Sequence, residues 1–208
     1  MSVIEKLASS QNQKNDLPNQ ELAKEIISSK DNDAIKELII NLKNKDKNIQ
    51  SDCIKVLYEI GERGAPELIS PYCDKFVELL ENKNNRLVWG AMSALDTITL
   101  VNPKDIFSYL SKIIKAIDNG SVITIDHGVS ILAKLVSMRE YENIAIPLLI
   151  EQLKKCPSKQ FPMYIEKSVI AINQYNQKEF ANVIEARLPE LEKDSQKKRI
   201  EKILKKFK

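Results

Sequence analysis

Apolar residues recur along this chain with the spacing of helices buried on one side. In the stretch NNRLVWGAMSALDTI (84–98), steps of about 100° per residue from Ala91 bring Leu87, Val88, Ala94, Leu95 and Ile98 onto one face. KNIQSDCIKVLYEI upstream and SVITIDHGVSILAKL downstream repeat the pattern without gaps. Ile49, Leu87 and Thr124 fall in one column, and Cys53, Ala91 and Gly128 in the next. Leu57, Leu95 and Leu132 form a third, and Ile60, Ile98 and Leu135 a fourth. The copies are offset by 38 and then 37 residues, a period that implies stacked helix pairs rather than a closed globule. The column of small residues marks where helices cross closely and little side chain fits. Val169 and Ile172 continue the last two columns into a fourth copy, so Val169 is expected to be buried like Leu57, Leu95 and Leu132.

Each of these inner helices is preceded by a second apolar segment: 34–42, 73–80, 106–117 and 146–153. The junctions NKDKN, ENKNN, DNGS and KCPSK are short and polar, which lets each helix fold back antiparallel on the one before. The segment AIKELIINLKNKDKNIQSDCIKVLYEIG (34–61) resembles a HEAT repeat: an amphipathic helix, an Asp-containing turn and a second helix. The resemblance covers roughly residues 32–175 and extends to bacterial HEAT-repeat proteins. It implies an all-α, right-handed α-solenoid of about five antiparallel helix pairs, of the armadillo type. Where the family has an Arg in the first turn of the second helix, this chain has Gln50, and Arg86 lies one position early in the next copy. The family's Asp–Arg ladder is therefore expected to be weakened.

Residues 1–208 read as a single repeat domain. Residues 1–30 supply N-terminal capping helices, 32–175 four repeats, and 177–208 C-terminal capping helices with a basic tail. In the N-terminal part, Val3, Ile4 and Leu7 mark one short helix, and Leu22, Ala23, Ile26 and Ile27 a second with Asn19 as its cap. Pro66 and Pro103 suit helix starts, whereas Pro71 and Pro147 mark either a restart or a kink. The tail 192–208 holds eight basic and three acidic residues, a net +5 against +3 for the whole chain. Ile200, Ile203, Leu204 and Phe207 form one apolar stripe there, so the tail reads as a cap with a solubilising basic face. The alternative is a basic helix that contacts phosphates or an acidic partner.

Composition narrows the function classes. Hydrophobic residues make up 43% of the chain and charged residues 29%, enough for a sizeable core. Charged or polar residues interrupt every apolar run before it reaches a membrane span. The N-terminus MSVIEKLASS has no basic segment followed by an apolar run, so it does not read as a secretory signal. Three widely spaced cysteines without a CxxC pair suit a reducing cytoplasm. A single histidine, His127, argues against zinc, and no partner for it is evident in the pattern. With no phosphate loop, metal-ligand spacing or nucleophile–histidine pairing, the chain reads as a non-enzyme with no cofactor, no metal and no catalytic residue.

The repeat frame then places a candidate surface. Inner helices of such pairs line the concave side, so residues opposite the core stripe should face a groove. On the central helix these are Arg86, Trp89, Ser93 and Asp96; the copies before and after contribute Lys55, Tyr58, Asp126 and Ser130, and the fourth Lys167. An aromatic beside an arginine is a common anchor of protein interfaces. Two readings stand for Trp89: an exposed anchor, or a ring that fills the seam between neighbouring inner helices. The mixed charge of the column suits a protein or peptide partner better than a phosphate track. The alternative is a nucleic-acid protein resembling the HEAT-like DNA alkylpurine glycosylases, for which Arg86, Trp89 and Asp126 supply the residue types but no aligned motif.

Overall fold

The computed structural model describes residues 2–205, and the chain divides into two compact units, residues 1–127 and 128–208. Among the described residues all regular structure is helical. In the first unit α1 is Leu17–Ser29, α2 Asn32–Asn41, α3 Lys47–Glu62, α4 Cys73–Glu78, α5 Asn85–Ile98, α6 Pro103–Ser108 and α7 Leu110–Asn119. Helix α8, Val122–Val136, runs across the boundary. In the second unit α9 is Arg139–Lys155, α10 Phe161–Ser168, α11 Gln177–Arg187 and α12 Asp194–Leu204.

The pairs follow the expected order, with α2, α4 and α6–α7 as outer helices and α3, α5 and α8 as inner ones. Asp31, Asp46 and Asn84 cap α2, α3 and α5, each accepting from the first free backbone N–H groups. Asn19 does not cap α1. Its side chain is buried, accepting from the Ala8 N–H at 3.0 Å and donating to Asp52 Oδ1 at 2.8 Å. Pro66 opens a 3-10 turn and Pro103 opens α6, as a residue without an N–H should. Pro71 sits in the short turn Ser70–Tyr72 from which α4 restarts, while α9 carries Pro147 in its interior. The segment 106–117, expected as one helix, breaks at Tyr109 into α6 and α7.

The core columns are filled as the repeat requires. Leu57, Leu95, Leu132, Ile60, Ile98 and Leu135 are fully buried, as are Cys53 and Ala91. Burial pushes the thiols of Cys53 and Cys73 up to about 12, so both stay protonated and act as small apolar side chains. The fourth column departs from expectation: Val169 is 36% exposed. Helix α10 ends at Ser168 and tightens into a 3-10 turn, Val169–Ala171, and its buried face is Phe161, Tyr164, Ile165 and Ser168. The stripe is one residue out of phase with the extrapolated column.

Two inner helices also meet closely at a pair of glycines. Inner helices α3 and α5 pack side by side and parallel, with Gly61 against Thr97 and Gly90 against Ile54. A Cβ on Gly61 would stand 2.1 Å from Thr97 Oγ1 and 2.7 Å from its Cβ. Gly61→Ala should therefore destabilise. Helix propensity would gain about 1 kcal/mol, but overpacking of this severity costs roughly 1–3 kcal/mol. A net loss is expected in a urea titration, and a more stable variant would show that α3 and α5 do not meet at this point.

In the second unit α12 packs against α10 and α11. Ile200, Ile203 and Leu204 are buried, and Phe207 lies outside the described residues. Its charged face is exposed, with Arg199 forking onto both carboxylate oxygens of Glu166 on α10.

Candidate inner-helix recognition site

The sequence-derived face does not behave as one surface. Lys55, Tyr58, Arg86 and Trp89 come together around a cavity of about 280 Å³ in the first unit. Lys14, Asp16, Ser51, Asp52, Ile54 and Gly90 complete its lining. The α3 residues reach it because Ile54 lies in the space left by the missing side chain of Gly90, which brings the two helices close. Trp89 is half-buried, and its indole N–H is covered and has no acceptor. Such a donor costs about 1–3 kcal/mol when left unpaired. The ring is therefore partly buried and also lines the cavity.

Opposite Trp89, Lys55 and Tyr58 are held in place before any ligand arrives. The Lys55 ammonium lies 2.5 Å from Glu59 Oε1 and 4.7 Å from the centroid of the Tyr58 ring. The second oxygen of the same buried carboxylate holds Arg63 Nε at 2.9 Å. Burial works against the Lys55 charge, but Glu59 and Tyr58 outweigh it and its pKa stands above the ordinary lysine value. Burial likewise raises the Tyr58 hydroxyl, which stays protonated.

Ser93 and Asp96 do not face open solvent: they are 4% and 9% exposed. Each is spent on a lateral bond along the row of inner helices. Ser93 Oγ donates to Glu62 Oε1 on α3 at 2.9 Å, and Asp96 Oδ2 lies 2.9 Å from His127 Nδ1 on α8. His127 thus has a partner after all. Together with Asn19–Asp52 between α1 and α3, these contacts form a polar ladder through the first unit. It takes the place of the weakened Asp–Arg ladder, since Gln50 donates to the Asn44 carbonyl of its own junction instead. The donors and acceptors sit 31 to 33 residues apart in sequence, which is the only trace they leave there. Half-buried Asp126 does not line the cavity, and Ser130 and Lys167, also half-buried, belong to the second unit.

By sequence, no family model and no curated protein matches the chain. Solved structures do. Computationally designed armadillo repeat proteins for modular peptide recognition superpose with a TM-score of 0.67 at 16% identity, over 90% of this chain and 87% of that one. The fold is an armadillo/HEAT-type helical repeat. A designed armadillo repeat protein in complex with the peptide (KR)4 gives 0.66 at 18% identity, over 91% and 87% of the two chains. The karyopherin Kap121p, bound to the SUMO protease Ulp1p, gives 0.61 at 14% identity, over 89% of this chain but 21% of the karyopherin. At these identities the likeness is one of fold.

Among the described residues, no group of three His, Cys, Asp or Glu side chains could hold a metal ion. No described helix is long and apolar enough to cross a membrane.

Proposed function

We propose that the chain is a non-catalytic scaffold that holds a segment of a partner protein against the inner-helix face of its first unit, in the cytoplasm and without a cofactor. The observation that carries this reading is the cavity between Trp89 and the braced Lys55–Tyr58 pair. It offers an aromatic wall, a fixed cation and an unpaired indole donor that a main-chain carbonyl of a bound segment would satisfy once the ring shifts. A designed armadillo repeat protein of this fold holds the peptide (KR)4, and the karyopherin neighbour is seen with a protein partner, which supports the same use here. Three free, buried cysteines agree with a reducing compartment. By the same reading the chain is kin to bacterial HEAT-repeat proteins. A base-handling site has less support, because Asp126 does not join Arg86 and Trp89 at the cavity.

Selection of a random dodecapeptide library on the intact protein tests the reading. The selected peptides should quench or shift the emission of Trp89, the only tryptophan, in a saturable way, and Tyr58→Ala should weaken them by roughly tenfold, the effect of losing one anchor. Single-stranded and duplex DNA should leave the emission unchanged. A saturable DNA quench that vanishes between 50 and 200 mM salt, with no peptide enriched, would overturn the scaffold in favour of nucleic acid.

A further inference from the structure

A second cavity of about 730 Å³ adjoins the Trp89 cavity and shares Arg86 and Ser51 with it. It lies where the junctions before α3 and α5 come side by side, and its lining is unusual in charge. Lys45, Lys47, Lys83 and Arg86 line it, and every other lining residue is polar and uncharged. None of these four cations is in an ion pair among the described residues, whereas Lys43 close by is tied to Glu78 at 2.9 Å. The acids of these two junctions are Asp46 and Glu81, and Glu81 is paired with Lys115 at 2.6 Å and does not line the cavity. The Asp46 carboxylate caps α3 by accepting from the Asn48 N–H at 2.7 Å, and it does not line the cavity either.

The amides reinforce the bias. Asn82 Oδ1 accepts from the Asn84 N–H at 2.8 Å, and Asn84 Oδ1 from the Arg86 N–H at 3.1 Å. With both oxygens used, these side chains have only their NH₂ groups left to offer a ligand. Four unpaired cations and outward donors, beside the positive ends of two helices, have no acceptor of their own to serve. We propose that this junction cavity is the docking site for an acidic stretch of the partner segment, a run of Asp and Glu side chains that continues from the Trp89 cavity across Arg86 to Lys45, Lys47 and Lys83. The proposal rests on the scaffold reading and names the chemistry of its partner.

The extent of the basic surface favours a short acidic peptide over a nucleic acid. The next cavity along the same row of junctions, about 660 Å³, holds Lys112 and Lys115, and Lys115 is already paired with Glu81 at 2.6 Å. Beyond the two junctions the lining is no longer purely basic, because Glu81 joins it. A phosphate backbone is charged at every step and is met by a longer track. The neighbour of this fold that carries (KR)4 holds a basic peptide, which would meet like charge here.

The test uses the full chain and three probes in parallel: the octapeptide (Asp-Glu)4, the octapeptide (Lys-Arg)4 and a single-stranded oligonucleotide. Calorimetry at 50 mM salt should show saturable binding of (Asp-Glu)4 and none of (Lys-Arg)4. Lys45→Glu with Lys83→Glu should weaken (Asp-Glu)4 by roughly tenfold or more, while circular dichroism stays unchanged because both side chains are exposed. Gln in place of Lys197, Lys198 and Lys202 on α12 serves as the control and should change nothing. The proposal is overturned if the α12 variant, rather than the junction variant, loses the acidic peptide. It is overturned equally if the oligonucleotide binds more tightly than (Asp-Glu)4 through the same lysines, or if (Lys-Arg)4 binds. Acidic binding that survives Tyr58→Ala would leave the junction site standing and remove the groove from the scaffold reading. Library peptides that need Tyr58 but show no Asp or Glu enrichment would keep the groove and remove the acidic site.

Discussion

Leu95→Ala should cost about 2–5 kcal/mol of stability, the range seen for large-to-small changes at sites that cannot collapse. Leu95 is fully buried in α5, in register with Leu57 of α3, and α5 packs against both α3 and α4. Truncation removes the transfer free energy of three carbons and leaves a void that neighbours on separate helices cannot all close at once. Leu95→Met keeps the volume and should cost less than about 1.5 kcal/mol. Urea titrations followed by circular dichroism separate the two variants, and the midpoint rather than the slope should move. An alanine variant within about 0.5 kcal/mol of the parent would mean that Leu95 is not where the column puts it.

Arg187→Ala should be nearly as damaging, for a different reason. Arg187, the last residue of α11, is 8% exposed. Its Nη1 donates to the Leu153 carbonyl at 2.7 Å and to Cys156 Sγ at 3.2 Å, and its guanidinium stands 4.8 Å from the Phe161 ring centroid. It thereby closes the C-terminal end of α9 and anchors the turn that leads into α10. Nε and Nη2 both reach Glu190 Oε2, whose carboxyl pKa Arg187 holds below its usual value. Glu190 is half exposed, so that pair adds little by itself. The larger loss is the buried Leu153 carbonyl, left with only the weak Cys156 thiol as donor at 3.5 Å, and the vacated space over Phe161, about 2–4 kcal/mol together. Arg187→Lys keeps the charge but not the fork, and should fall between. Since the Glu190 pKa is depressed, the ion pair's small share is present above the ordinary carboxylate range and is lost as pH falls through the lowered value. Thermal melts of Arg187→Ala and Glu190→Ala decide the matter: equal losses would assign the stabilisation to the ion pair and remove the capping role.

In sequence Val169 continues a column of leucines, but the fourth inner helix builds its face from Phe161 and Tyr164. Their bulk sets a different phase, visible in FPMYIEKS as an i, i+3, i+4, i+7 pattern starting at Phe161. Ser93 and Asp96 were assigned to a surface because they lie opposite their own core stripe. An inner helix is flanked on both sides as well as backed, so residues at the borders of that face are buried laterally. Gly61 and Gly90 had no column to belong to, since the seam between successive inner helices follows an offset of 36 residues rather than 38. Arg187 carried no signal beyond being basic near a helix end.

Periodicity alone determined that this protein is a run of helix pairs, and it placed Leu57, Leu95 and Leu132 at equivalent buried points. A helix commits its apolar face by residue spacing, and that spacing is written locally. The same local rule located Trp89, Tyr58, Lys55 and Arg86 on inner helices. Whether those four share one cavity, and whether Asp96 faces a ligand or His127, depends on how closely α3, α5 and α8 approach. That distance is set where one chain segment makes room for another, Gly90 for Ile54 and Gly61 for Thr97, and it is a property of pairs far apart in sequence. The unpaired state of Lys45, Lys47, Lys83 and Arg86 was decided in the same way. Lysines and acids are mixed in the junctions before α3 and α5, and only the folded chain shows that Asp46 is used by a helix cap and Glu81 by Lys115 while these four cations are left facing one space.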